Sequence, residues 1–147
     1  MKIKLISFGF HYGIPENLDA TIDARIITNP YRNRKLRSLT GLHKDVQADV
    51  LSHKALSKRL FDQIDAAIKS AHEKKEENVT IGIGCSFGHH RSVALVEAYK
   101  DLYTRDSQFM KMQYEQRKPG QKVVFISHYL VASRKRQLVT RPLLPVL

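Results

Sequence analysis

The stretch that most constrains this chain is a junction between residues 79 and 103. Val79–Gly84 is a short apolar run of the kind found in strands buried on both faces. Arg91–Tyr103 carries Val93, Val96, Tyr99 and Leu102 at helical spacing. Between them lies Gly84-Cys85-Ser86-Phe87-Gly88-His89-His90-Arg91-Ser92. A buried strand, a tight glycine-bearing loop and an amphipathic helix, in that order, form one step of an α/β fold. The loop then aims its backbone N–H groups at one spot, beside the positive end of the helix dipole. Phosphate is the ligand that suits this geometry best.

The residue types in the loop agree with that reading. Gly84 and Gly88 allow close backbone approach. Arg91 can place two parallel hydrogen bonds on a phosphate, and His89 and His90 add ring donors. Cys85, Ser86, Phe87 and Ser92 complete the candidate binding loop. The spacing Cys-x5-Arg-Ser also fits the signature loop of cysteine-dependent phosphatases. In that alternative Cys85 is the nucleophile, Arg91 the transition-state clamp and Ser92 the hydroxyl that eases thiolate departure. The leaving group then needs an acid, for which Asp19, Asp23 and Asp45 are nominal candidates. The other reading of Cys85 is a small buried hydrophobe at a strand end. A metal site built on His89 and His90 is not expected, because adjacent side chains diverge and no third ligand is in register.

The rest of the chain supplies more strands and one long helix. Lys2–Phe8 alternates charged and apolar residues and reads as a first strand. His11–Asp19, with Gly13 and Pro15, reads as a loop. Thr21–Ile27 is rich in β-branched residues and reads as a second strand, ending at Asn29-Pro30. From Arg25 to Lys44 there are six basic residues, among them Arg32, Arg34, Lys35 and Arg37, and no acid. This is read as a cationic loop, able to close over a phosphate or simply solvated. From His53 to Lys75 the residues Leu56, Leu60, Ile64, Ala67, Ile68 and Ala71 recur every three or four positions, which predicts an amphipathic helix with Ser52 as its N-cap. Phe109–Tyr114 alternates and reads as a late strand, broken by Gln116–Gln121 with Pro119-Gly120. Lys122–Val131 reads as one more strand. The tail from Ser133 is basic and then punctuated by prolines. Strands separated by helices predict a single α/β domain with a mixed β-sheet flanked by helices.

Composition narrows the function. Twenty-five Lys+Arg against 14 Asp+Glu give a formal charge of +11 over 147 residues. That excess favours polyanions or phosphorylated ligands. A single cysteine excludes an intrachain disulfide framework and suits a cytoplasmic address. No apolar run approaches the roughly 20 residues of a membrane span, and the start of the chain does not read as a signal peptide. No G-x-x-x-x-G-K-[ST] motif occurs. The aromatic residues are not gathered into any recognised RNA-binding module, so contact with RNA would be mainly backbone electrostatics.

Several segments together resemble the C-terminal domain of the RapZ family of bacterial RNase adapter proteins. They are Ser7–Pro15, Asp23-Ala24-Arg25, Asn29-Pro30, Leu36–Gly41 and Gly84-Cys85 through His90-Arg91-Ser92. The resemblance covers roughly residues 1 to 118, so residues 1–119 are taken as the family domain and 120–147 as a basic extension on which the resemblance is silent. The resemblance implies a sensor for glucosamine 6-phosphate that also binds small RNAs and self-associates. No cofactor, membrane contact or catalytic residue is expected, and without the G-x-x-x-x-G-K-[ST] motif ATP binding is not expected of these residues. The implied pocket uses Asp23 and the loop from Cys85 to Arg91, with Arg25, Arg37, Thr40 and Gly41 near it. RNA contact falls to the stretch matching Lys111–Lys118, with Lys111, Arg117 and Lys118, and on its basic composition to Arg134, Lys135 and Arg136. His11, Tyr31 and the pair Ser86-Phe87 depart from the family's usual residues, which bears on sugar specificity more than on the anion site.

Overall fold

The computed structural model describes residues 2–105, 124–132 and 135–142. Its centre is a five-stranded sheet in the order β2-β3-β1-β4-β5. The strands are β1 (Lys2–Gly9), β2 (Ala20–Asp23), β3 (Asn78–Cys85), β4 (Val124–Ala132) and β5 (Lys135–Pro142). β1 lies parallel to β3 and β4, β2 lies parallel to β3, and β5 runs antiparallel to β4. The sheet is therefore mixed, as expected. The register sets Gly9 beside Cys85 and Asp23 beside Gly84, so three strands end together.

Among the described residues three α-helices cover one face: α1 (Lys44–Leu51), α2 (Lys54–Glu73) and α3 (Arg91–Arg105). α2 packs on β2 and β3, α3 packs on β1 and β3, and α1 sits against both helices. Their shared core joins Ile3 and Leu5 of β1, Ile81 and Ile83 of β3, Leu60, Ile64 and Ile68 of α2, and Leu95 of α3. Each of these side chains is essentially removed from water. Truncating any one to Ala would cost about 2–5 kcal/mol. On the other face Phe8 stacks edge-on with Phe10, with ring centroids 4.9 Å apart. Added side-chain carbons at Gly82 and Gly84 would strike Leu18 and Phe10, so the loop after β1 covers this side closely.

Four elements depart from the sequence-based expectation. β2 stops at Asp23, because the Asp23 carboxylate accepts the Arg25 N–H and turns the chain into a short 3-10 turn over Ala24–Ile26. Helix α1 falls on a stretch to which the sequence reading assigned no element, just after the cationic loop. Its first turn is capped by His43, whose ring nitrogen accepts the Asp45 N–H, and it buries only Val46 and Val50. Ser52 ends α1 rather than starting α2: its N–H donates to Ala48 O, and His53 occupies the N-cap of α2. The basic tail contributes a strand, β5. The expected strand Phe109–Tyr114 and the break at Gln116–Gln121 lie outside the described residues. Among the described residues no helix is long and apolar enough to cross a membrane.

Candidate functional site

The connections leaving β1 and β3 run in opposite directions: β1 feeds β2 on one side, while β3 feeds β4 on the other by way of α3. Adjacent parallel strands whose outgoing loops diverge leave a crevice at their carboxyl ends, the usual ligand position in open α/β sheets. A cavity of about 420 Å³ opens there, lined by Tyr12, Asn29, Tyr31, Arg37, Cys85, Phe87, His89, His90 and Arg91. Tyr12 follows β1, residues 29–37 follow β2, and residues 85–91 follow β3.

The loop 86–90 is held in place by close backbone contacts. Gly88 has φ +73°, and a side chain there would lie 2.7 Å from the Gly9 nitrogen. His11 N–H donates to Ser86 O at 3.0 Å, and Gly41 N–H donates to His89 O at 2.7 Å. Among the described residues, the backbone N–H groups of Phe87 to His90 find no protein acceptor. Four donors thus stand free at the start of α3, as an anion cradle requires.

Cys85 is buried below this loop. Its thiol donates to Ser92 Oγ at 3.2 Å, and its sulfur accepts the Ser92 N–H at 3.4 Å. Arg91 is only 7% exposed. Its Nη1 donates to Ile27 O (3.1 Å) and Arg25 O (3.3 Å), and its Nη2 donates to Ser86 Oγ (3.1 Å). The guanidinium therefore ties the chain after β2 to the loop after β3. Two buried side-chain nitrogens lack a hydrogen-bond partner among the described residues: Arg91 Nε and His90 Nε2. Leaving such atoms unpaired is costly, and both side chains line the cavity. Burial of the His89 ring, and then the neighbouring His90, push the His89 pKa below its ordinary value.

Not every candidate reaches the cavity. Arg37, Cys85, Phe87, His89, His90 and Arg91 line it. Ser86, Gly88 and Ser92 shape the loop behind them. Asp23 is clasped by Arg25 through three side-chain hydrogen bonds of 2.7–3.1 Å. Those bonds lower its pKa against the opposing pull of burial, with a smaller contribution from Arg91. The Arg25 guanidinium in turn lies 4.0 Å over the Phe10 ring. Thr40 closes a turn, its Oγ accepting the Leu42 N–H, and Gly41 packs against the first turn of α3. Asp19 sits at the opposite end of the sheet, accepting the Thr80 N–H at 2.7 Å. Asp45 is exposed in the first turn of α1. Lys111, Arg117, Lys118 and Arg134 lie outside the described residues, while Lys135 and Arg136 open β5. Tyr12, Asn29 and Tyr31 were not among the site candidates. Their position just after β1 and β2 is the signal that could have found them. Among the described residues no group of three or more His, Cys, Asp or Glu could hold a metal.

A mixed α/β sheet with a cavity at the carboxyl ends of its central strands defines an open α/β domain with its crevice at a switch in strand order. The chain belongs to the RapZ C-terminal domain family, whose sequence pattern matches residues 1–119. It is 36% identical over 107 residues to the nucleotide-binding protein YvcJ of Bacillus subtilis, a match covering 71% of this chain and 36% of that protein. It is 32% identical over 117 residues to a nucleotide-binding protein of Oleidesulfovibrio alaskensis, covering 78% and 40%. A nucleotide-binding protein of Thermotoga petrophila is 33% identical over 108 residues, covering 71% and 38%. The chain thus spans between a third and two fifths of the length of these curated relatives.

Proposed function

We propose that this domain is a binding module for a phosphorylated small molecule of the phosphosugar class, with the phosphate seated on the loop from Cys85 to Arg91. The observation that carries the reading is the pairing of free backbone donors at residues 87–90 with the unpartnered Arg91 Nε and His90 Nε2 beside one cavity. Arg37, which donates from Nε to Tyr31 O at 2.7 Å, brings a cationic side chain to the same cavity. The glucosamine 6-phosphate-like ligand follows from the family resemblance, and the nucleotide-binding names of the relatives make nucleoside phosphates a second class to test.

A binding role is preferred to phosphatase chemistry on the state of the acid. Arg25 holds Asp23 ionised, which makes it a poor proton donor to a leaving group. Asp19 lies at the wrong end of the sheet. Contact with RNA, self-association and a cytoplasmic address complete the proposal. RNA contact rests on the family resemblance together with the +11 charge and the basic tail, self-association on the resemblance, and the address on the single cysteine.

Thermal unfolding with and without ligand tests the central claim. Inorganic phosphate, glucosamine 6-phosphate, other hexose phosphates and the unphosphorylated sugars are scanned against the natural protein and Arg37→Ala. A ligand at about a hundred times its Kd should add roughly 2.7 kcal/mol. Stabilisation by a phosphate ester but not by its parent sugar, weakened in Arg37→Ala, is the expected result. No stabilisation by any phosphate would sink the proposal.

A further inference from the structure

We propose that Cys85 is a phosphoryl acceptor, whose sulfur takes the phosphoryl group from small donors with a leaving group that departs as an anion, the acyl phosphates above all. The inference rests on the phosphate reading above and adds a covalent step to that site.

The sulfur sits where such a step needs it. Cys85 ends β3 directly before the loop and lines the cavity. Its thiol donates to Ser92 Oγ at 3.2 Å, and its sulfur accepts the Ser92 N–H at 3.4 Å. Ser92 stands in the first turn of α3, so both groups meet the sulfur at the positive end of the helix dipole. A cysteine that only fills a strand end as a small hydrophobe has no need of two polar contacts.

The cavity beside the sulfur is built for a charged group. Arg91 and His90 are 7% and 8% exposed, and both line it. Arg91 Nε and His90 Nε2 have no partner among the described residues. With the free N–H groups of residues 87–90 they supply donors next to the nucleophile. Phosphoryl transfer asks little more of a protein than this, namely position and hydrogen bonds to the oxygens over which charge spreads.

The surroundings also select the donor. Among the described residues the lining holds no carboxylate. Arg25 keeps Asp23 ionised, and burial, then His90, holds the His89 ring below its ordinary pKa. A sugar phosphate must release an alkoxide, which needs a proton from an acid. It is therefore bound and kept intact. An acyl phosphate releases a carboxylate, which is stable as an anion at neutral pH. In the step an S–P bond forms and the P–O bond to the leaving group breaks, its electron pair staying on that oxygen. The thiol proton passes to solvent.

Rapid-quench labelling of the full chain tests this. The donors are acetyl phosphate, p-nitrophenyl phosphate and glucosamine 6-phosphate, and peptide mass spectrometry locates the label. Acetyl phosphate and p-nitrophenyl phosphate should each add one HPO3 group to the peptide carrying Cys85. Labelling by glucosamine 6-phosphate should be roughly 10²–10⁴-fold slower, the contribution of the missing acid. Excess inorganic phosphate should protect Cys85, and Ser92→Ala, which keeps the thiol, should slow the labelling. Label on other residues alone, or labelling that excess phosphate does not slow, overturns the inference. So does an unlabelled Cys85 in a protein whose melting temperature inorganic phosphate still raises, and this result leaves the phosphate site standing. If Cys85 stays unlabelled and no phosphate compound stabilises the protein, both proposals fall.

Discussion

The Arg91 guanidinium donates from Nη1 to the carbonyl of Ile27, 3.1 Å away in space and 64 residues earlier in the chain. The same side chain holds Arg25 O and Ser86 Oγ. It bridges two loops that leave neighbouring strands, so it builds the cavity as well as lining it. Arg91→Ala would strand two carbonyls in a nearly dry site. The loss should be about 2–6 kcal/mol, given roughly 1–3 kcal/mol for each buried group left unpaired. Arg91→Lys should recover only part of it, since an ammonium cannot span carbonyls in two directions with a planar fork. Urea denaturation of the three proteins checks this. A loss under about 0.5 kcal/mol in Arg91→Ala, the scatter of a surface substitution, would show that the bridge is not structural.

The pair Asp23–Arg25 gives a pH test. Its ion pair measures 2.7 Å, and both side chains are about half exposed, so solvent screens it. The Asp23 pKa is lowered in the folded state, first by its hydrogen bonds from Arg25. A carboxylate with a depressed folded pKa stabilises the fold above its unfolded value, and that stability is lost as pH falls through the folded value. The urea midpoint of the natural protein should exceed that of Asp23→Asn by a constant amount from about pH 8 to about pH 5. The difference should close as pH falls below about 4. A gap that widened on acidification would contradict the clasp.

How much of this was legible in the sequence depends on how the information is spread along the chain. β1, β3, α2 and α3 announce themselves, because their apolar residues repeat with the period of the element over eight or more positions. α1 does not. It has two turns, two buried side chains and a histidine cap, and it follows a basic stretch that reads as loop. β2 is shorter than its sequence suggests, because Ile26 and Ile27 look like strand residues while the Asp23 side chain turns the backbone before them. The loop from Cys85 to Ser92 was readable because all its chemistry lies within eight consecutive residues. Tyr12, Asn29 and Tyr31 fall in or beside the segments that carry the resemblance, but only the sheet order shows that residues after β1 and β2 join that loop at one cavity. Nor could the sequence show that Asp23 is taken up by Arg25, or that Arg91 is largely spent on carbonyls.

Gly9 and Gly88 offer a test of the loop's shape. A side chain on Gly9 would lie 2.5 Å from the Phe87 carbonyl carbon, and Gly88 adopts φ +73°. Gly88→Ala should cost about 1–3 kcal/mol from the left-handed backbone, with the clash against Gly9 added. Gly9→Ala leaves its own backbone unstrained but must push the loop away. Stabilisation by phosphate ligands should therefore weaken in Gly9→Ala beyond what its lower melting temperature explains. An unchanged ligand response in that variant would mean that the position of the loop is not critical.

Binding to RNA, if it occurs through the basic tail, should follow counterion release. The slope of log K against log salt drops by about 0.7–0.9 for every phosphate contact removed. Replacing Arg134, Lys135 and Arg136 together by Ala should lower that slope by roughly 2–3 and weaken all sequences alike. Filter-binding across a salt series measures it. A slope that does not change would place the RNA contacts elsewhere or deny them.

His89 links the cavity to pH. Its imidazole is pushed below its ordinary pKa, first by burial and then by His90. The unfolded chain therefore takes up a proton before the folded one does. The stability His89 confers is whole above its unfolded pKa, about 6.5, and is lost as pH falls through the lower folded value. Between about pH 7 and pH 5 the urea midpoint of the unliganded protein should fall, and it should fall less in His89→Gln. A bound phosphate reverses the preference, because its negative charge next to the ring favours the imidazolium. Binding of a phosphate ligand near pH 6 should then draw a proton into the natural protein and fewer into His89→Gln. Titrations in buffers with different heats of protonation read that number directly. Equal proton uptake by the two proteins would place the phosphate away from His89 and from the loop that carries it.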